Sequence, residues 1–281
     1  MKLRLFSLAA AAAVLAAAVS SVNPPASAAS TVVVTPSNQQ GWTTAPPVAD
    51  NRPVSTVQFV TDATAPAGTG ALQLTTDSTN ASKAQYMHTT NTPLADVTNL
   101  SYYTKQNSAS FVGGEASYQL ATCLGGFDSN AVTTANPLGC VGFTTFVYEP
   151  YENGGVTPGA WQFWDVDAGQ FWSSRSYTNG TCAVVAGAGG PPFYTLSGLK
   201  ASCPDAEVVA FGVNIGSFNP SYNVETDLFT FNDTTYNFEV YSAPSDKDQC
   251  KNGGWATFNP NRPAGPFKNQ GDCIQYANTG K

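Results

Sequence analysis

From about residue 30 onward, apolar positions recur in short runs with a two-residue period, cut by Gly, Pro and Asn, and almost nowhere at helical spacing. Residues 31–35 and 54–60 are β-branched runs. Within 70–76, Leu72 and Leu74 face one way and Ala71, Gln73 and Thr75 the other, as on a strand with one face on a core. Further strands are predicted over 84–88, 100–106, 117–124, 142–151, 207–217, 224–231 and 235–241. Segments 161–166 and 171–177 predict a hairpin turning at Asp167-Ala168-Gly169. One helix fits, over 194–201, ended by Pro204. About ten or more strands at this spacing predict an all-β fold, a jelly-roll-like antiparallel β-sandwich with one short helix.

The two ends depart from the pattern. Lys2 and Arg4 precede an apolar, Ala-rich run from Leu5 to Val19, which Pro24 and Pro25 break before the small residues Ala26-Ser27-Ala28. Residues 1–28 are therefore predicted to be a cleaved signal peptide, the apolar run being short for a span of ~20 residues. Residues 29–44 read as a lead-in and 45–241 as the sandwich. After Ser242-Ala243-Pro244-Ser245 the chain turns polar and Gly/Asn-rich, so 242–281 reads as a linker and a small C-terminal appendage bracketed by Cys250 and Cys273. At that length a core alone does not hold a fold, which makes a disulfide essential to it.

All six cysteines follow the leader, and an even number in an exported chain implies disulfides. Of 15 connectivities, the arrangement as three separated neighbour pairs favours Cys123–Cys140, Cys182–Cys203 and Cys250–Cys273. Each closes a loop of about 20 residues, worth roughly 3 kcal/mol by chain entropy. The lack of a C-x-x-C and the single His set a zinc site aside. The expected location is secreted, extracellular or cell-surface associated.

Charge narrows the partners. Charged residues are 11% of the chain, against ~25% in most soluble proteins. The net charge is −7; once Lys2 and Arg4 leave with the signal peptide, ten basic residues face nineteen acidic ones and it becomes −9. Nucleic acid is excluded as a partner, since phosphate binding needs clustered Lys and Arg. No later segment is long and apolar enough to insert in a membrane.

Candidate chemistry is concentrated in one stretch. Trp161, Phe163, Trp164, Phe171, Trp172 and Tyr177 fall within 17 residues. Exposed rings offer flat apolar faces to sugar C–H groups and neighbouring amides bond the hydroxyls. Trp161, Trp164, Trp172, Tyr177 and Gln162 are therefore the candidate ligand-binding residues; the competing reading puts these rings in the core. Carboxylate pairs occur at Glu149/Glu152, Asp165/Asp167 and Glu225/Asp227, but such pairs are ordinary on an acidic β surface. Structural calcium is the one cofactor weighed, on Asp165, Asp167, Glu225, Asp227, Asp246 and Asp248, without an EF-hand-like loop to hold it. His88 has no G-x-S-x-G or free Cys to act on, and Gly187–Gly190 runs into Pro191 and Pro192 with no phosphate-loop Lys. No catalytic residue is assigned.

The alternating 70–76 strand with the segment 94–106, the Trp161–Trp172 region, and 212–231 leading into a final Thr-Tyr-Asn-Phe-Glu strand follow an order that resembles galactose-binding-like jelly rolls. This is the fold of many carbohydrate-binding modules attached to bacterial glycosidases, and the resemblance covers roughly 45–241. The stretch Pro158-Gly159-Ala160-Trp161-Gln162-Phe163-Trp164-Asp165, together with a tail reading KNGGW at 251–255 and FKNQGDC at 267–273, is similar to a family of uncharacterised secreted bacterial proteins. That resemblance implies architecture and compartment, and brings no activity. Asn223-Val224-Glu225-Thr226-Asp227 departs from the Asp-beside-Asn pattern of such modules.

The expectation is a secreted, non-catalytic β-sandwich that binds carbohydrate or a cell-envelope polymer through exposed aromatics, with two or more of Trp161, Trp164, Trp172 and Tyr177 on one groove or flat face. A structural or surface-association protein acting through its appendage would instead expose Trp255 and Phe267. A polysaccharide hydrolase would face two carboxylates into one cleft, one with a raised pKa.

Overall fold

The computed structural model describes residues 30–240, 244, 246–258 and 267–279; the expected signal peptide lies outside them, as does part of the linker. In chain order the strands are β1 (Ser30–Val34), β2 (Trp42–Thr43), β3 (Thr56–Thr61), β4 (Gly70–Thr75), β5 (Ala84–Pro93), β6 (Leu100–Ser108), β7 (Ser117–Cys123) and β8 (Phe143–Tyr148). They continue with β9 (Gln162–Asp165), β10 (Gln170–Ser173), β11 (Tyr177–Asn179), β12 (Cys182–Val184), β13 (Tyr194–Thr195), β14 (Glu207–Ile215), β15 (Asn223–Phe231) and β16 (Thr234–Phe238). The α-helices are α1 (Pro150–Asn153), α2 (Leu196–Ser202) and α3 (Gln270–Thr279).

One seven-stranded sheet runs β1-β16-β15-β4-β3, with β6 on the other side of β15 and β9 beyond β6. The second runs β13-β10-β8-β7-β14-β5-β2, and β11–β12 form a separate ribbon. The ladders are antiparallel apart from β1 on β16. The chain is thus an all-β sandwich. From Ser30 the stretch expected as a lead-in supplies β1 and β2, one to each sheet.

Aromatic side chains fill the space between the sheets. Trp42 stacks on Tyr86 at 5.2 Å between ring centroids and meets Phe211, Phe229, Tyr236 and Phe238 edge-on. Tyr118 stacks on Phe229 at 4.1 Å, and its hydroxyl reaches across to donate to the Thr230 carbonyl at 2.8 Å. Such rings bury large apolar areas; the Tyr118 phenol keeps its polar end satisfied, whereas Trp42 Nε1 and the Tyr86 hydroxyl are buried without a protein partner.

The expected hairpin over 161–177 does not form. β9 pairs with β6 in the first sheet, whereas β10 pairs with β8 in the second. The connection is a corner between sheets: Val166 is fully buried where the chain crosses, and its N–H donates to the Leu100 carbonyl at 2.9 Å. Two neighbouring apolar segments with a turn between them satisfy either geometry, and burying Val166 in the shared core decides for the corner. The predicted helix does form as α2, capped by the Thr195 hydroxyl accepting from the Gly198 N–H.

β15 changes partner along one edge, from β4 at Asn223–Thr226 to β16 at Phe229–Phe231. At the split the register slips after Asp227, and Leu228 takes φ +47°. Asp227 is fully buried there, its Oδ1 accepting from the Phe238 N–H at 3.0 Å.

The disulfides are Cys123–Cys140, Cys182–Cys203 and Cys250–Cys273, as the cysteine spacing predicts. In the appendage Cys250, Cys273 and Phe267 are buried with Trp255, Phe258, Ile274 and Tyr276 around them. The expectation of an exposed Phe267 is therefore corrected, and Trp255 is half-buried. Both rings go to the small core because that segment has little else apolar to bury.

Candidate functional site: a cleft on the second sheet

The outer face of the second sheet is the floor of a cleft of about 830 Å³. Its lining follows from strand periodicity and register. Alternate residues of each strand point outward, and the ladders align them in rows across the sheet. Gln85, Asn214 and Ser117 make one row, which continuation of the β7–β8 ladder by one pair extends to Glu149. Met87, Gly212, Gln119, Val147 and Trp172 make the next. Ala210, Ala121, Thr145 and Ser174 follow, Thr145 and Ser174 exchanging bonds of 2.9 Å. All seven residues of β7 are buried, because walls on the outer side cover what would otherwise be a solvent face.

The floor is made of amides and hydroxyls. Gln85 Nε2 donates to Gln119 Oε1 at 2.7 Å, and Ser117 Oγ donates to the Asn214 carbonyl at 3.1 Å. Asn214 is 5% exposed, and its Oδ1 is buried with no protein donor. A buried acceptor left without a donor costs free energy until a ligand or water supplies one. Aromatic rings stand around this polar floor: Phe143 at one end, Trp172 beside it, and Tyr151, Tyr222 and Phe218 at the other. Phe218 is 76% exposed and held at φ +69°. A large apolar side chain in a left-handed conformation, presented to solvent at a cleft rim, is stored strain of the kind found at binding sites.

Two carboxyls lie at the Tyr222 end. Glu149 follows β8, and burial pushes it up to about 8; the Trp172 indole N–H opposes the shift and the Glu152 charge adds to it. Glu115 precedes β7, is 4% exposed, and burial likewise raises it to about 8 against the Thr104 hydroxyl and nearby backbone N–H groups. Asp50, at the other side of the cleft, moves down: burial opposes this, but Arg52 at 3.0 Å and Lys83 at 3.1 Å hold its charge.

The five residues picked from the sequence do not come together. Of them only Trp172 lines the cleft. Trp164 is 6% exposed and belongs to the core, donating from Nε1 to Thr104 Oγ1 at 2.7 Å. Gln162 braces the preceding loop, accepting from the Thr157 N–H and donating to the Gly155 carbonyl. Trp161 donates to Asp62 Oδ2 at 3.0 Å, on the outer face of the first sheet, with the Lys105 ammonium 5.6 Å from its ring. Tyr177 packs over Gly142 and Gly125, beside the Cys123–Cys140 loop. The scatter follows from the corner at Val166: a hairpin would have gathered these rings, and a crossing between sheets disperses them.

The other candidates settle in different places. Asp165 lines a small cavity of about 340 Å³ with Glu152, and burial and then the Asp165 carboxyl raise Asp167. Among the described residues no group of three or more His, Cys, Asp or Glu is placed to hold a metal ion. Glu225 belongs to a ladder on the first sheet with Asn107, Lys105 and Gln73. His88 is stacked on Phe211 at 5.0 Å, with the Thr89 and Gln40 carbonyls at its ring nitrogens.

Fold and cleft together define a class: a disulfide-stapled β-sandwich with a ligand-sized, amide-floored and aromatic-walled cleft on one sheet. No protein-family model and no curated protein matches the chain. Among solved structures it is similar to the family 11 carbohydrate-binding module of the cellulosomal cellulase Lic26A-Cel5E of Clostridium thermocellum. The identity is 15%, the match covers 63% of this chain and 81% of that module, and the TM-score is 0.33.

Proposed function

We propose that this is an exported protein whose cleft binds a polysaccharide chain without turning it over. The observation that carries this reading is the cleft's composition. A sugar polymer presents hydroxyls along its edges and C–H groups on its faces, and a cleft lined by Gln119, Ser117 and Asn214 together with the rings of Trp172 and Phe143 answers both. Export is supported by the leader-like N-terminus and by three disulfides, which persist in oxidising compartments. No helix among the described residues is long and apolar enough to cross a membrane.

Two carboxyls facing one cleft also meet a condition for glycoside hydrolysis. Acid–base chemistry, however, needs environments that drive the two apart, one holding its proton and one losing it. Glu115 and Glu149 are driven the same way, and the low carboxyl, Asp50, is engaged by Arg52 and Lys83. This favours binding over turnover. The test is affinity electrophoresis and calorimetry of the mature protein against soluble polysaccharides and peptidoglycan fragments, with reducing ends assayed in parallel. One polymer is expected to bind, to lose at least tenfold in affinity with Trp172→Ala, and to release no reducing ends. Retention unchanged by Trp172→Ala, or steady release of reducing ends, would overturn the reading.

A further inference from the structure

The Tyr222 end of the cleft has more than the rest of it: two carboxyls set among rings, with no cation to answer them. Glu149 and Ser117 are cross-strand neighbours, and Glu115 lies two residues before Ser117. Both carboxyls line this end of the cleft, and both charges act on the Tyr222 phenol. Around them stand Trp172, Tyr151, Tyr222 and the exposed Phe218. The groups that act on Glu149 are the Trp172 N–H and Glu152, and those that act on Glu115 are the Thr104 hydroxyl and the N–H groups of Ala116 and Gln106. None is a Lys or Arg. The cleft's own cations are elsewhere: Arg52 and Lys83 are tied to Asp50, and Arg175 lies over Phe143. Phe143 is six residues from Glu149 along the chain, about 20 Å in extended backbone.

Resting on the reading of the cleft as a polysaccharide site, we propose that this end is a subsite for a protonated amine, so that the polymer it takes carries free amino sugars. An ammonium among aromatic faces gains from their ring electrons, and carboxylates supply the matching charge and acceptors. Both carboxyls hold a proton near neutral pH because burial disfavours their charge. An arriving cation reverses that preference, whereas a neutral sugar or an N-acetyl group does not. Asn214 Oδ1, two strands from Glu149 and so roughly 10 Å away, is left to accept from a hydroxyl of the same chain.

The experiment compares three hexamers by calorimetry at pH 6.5: glucosamine, N-acetylglucosamine and glucose, each against the mature wild-type protein, Glu149→Gln, Trp172→Ala and Asp205→Asn. The last removes one exposed charge away from the cleft. The glucosamine hexamer is expected to bind at least tenfold tighter than the other two. That preference is expected to fall to about threefold or less in Glu149→Gln and to survive in Asp205→Asn. A preference that survives Glu149→Gln, or that Asp205→Asn reduces equally, would overturn the subsite in favour of general attraction to an acidic protein. Equal binding of the three hexamers, lost in Trp172→Ala, would overturn the subsite and leave the cleft reading standing. No binding of any hexamer or of any polymer in the wider panel would remove both.

Discussion

Asp227 shows how a single side chain can set a property of the whole chain. It fills the gap where β15 parts from β4 and joins β16; one oxygen takes the Phe238 N–H and the other is buried without a partner. Burial is the first cause of its rise from 3.8 to about 7, with the Glu239 charge adding to it. A carboxyl whose folded value exceeds its unfolded one binds more protons in the folded chain, so folding weakens as pH climbs between those values. For Asp227 that window runs from about 4 to about 7, and for Glu115 and Glu149 from about 4.5 to about 8. Asp50 and Asp62, both held low, act oppositely, their contributions lost only as pH falls below 3.8, and His88, lowered by burial, offsets part of the decline below pH 6.5. The melting temperature is therefore expected to be highest near pH 4–5 and to decline toward pH 8. Asp227→Asn keeps the acceptor for Phe238 and should flatten the acidic half of that decline. Circular-dichroism melts at half-unit pH steps check it, and a melting temperature that rises from pH 5 to pH 8 contradicts it.

At the scale of elements, what was legible in the sequence is what short-range order controls. Strands such as β4 and β14 announce themselves through alternation and β-branched residues, α2 through its stop at Pro204, and the disulfides through cysteine spacing. The pairing of elements was not legible where two geometries share one local pattern. Segments 161–166 and 171–177 read alike as a hairpin or as a corner, and only the common burial of Val166 distinguishes them. The cleft was hidden for a related reason. Gln85, Gln119 and Asn214 each occupy an outward position that alternation does give, but the ladders bring them into adjoining rows from segments as much as 129 residues apart, Gln85 to Asn214. Glu149 was visible as a carboxylate, and nothing local marked it as lining a cleft. The appendage is the simplest element to test. Its disulfide spans 23 residues, a loop whose closure is worth about 3 kcal/mol. Replacing Cys250 and Cys273 by Ser should open the appendage to limited proteolysis while the sandwich keeps its melting temperature within a few degrees. A large fall in the sandwich's own melting temperature would show instead that the two are energetically one unit.

The whole molecule divides its aromatic residues between two jobs. Most are core: Trp42, Tyr86, Tyr118, Phe211 and Phe229 hold the sheets together, and Trp164 joins them. A smaller set, with Trp172 and Phe218, stands over the polar floor of the second sheet, and Tyr222 is shared between core and cleft. Trp161 does neither, being bound to Asp62 on the opposite face of the sandwich. The central claim, that ligand enters the cleft and not the Trp161 face, is therefore one about which indole senses it. The chain has five tryptophans, and each indole N–H gives its own cross-peak in a ¹⁵N–¹H correlation spectrum once assigned by single Trp→Phe changes. Titrating the bound polysaccharide into the mature protein should shift the Trp172 cross-peak while those of Trp161 and Trp255 stay where they are. A shift confined to Trp161, with Trp172 unmoved, would contradict the account.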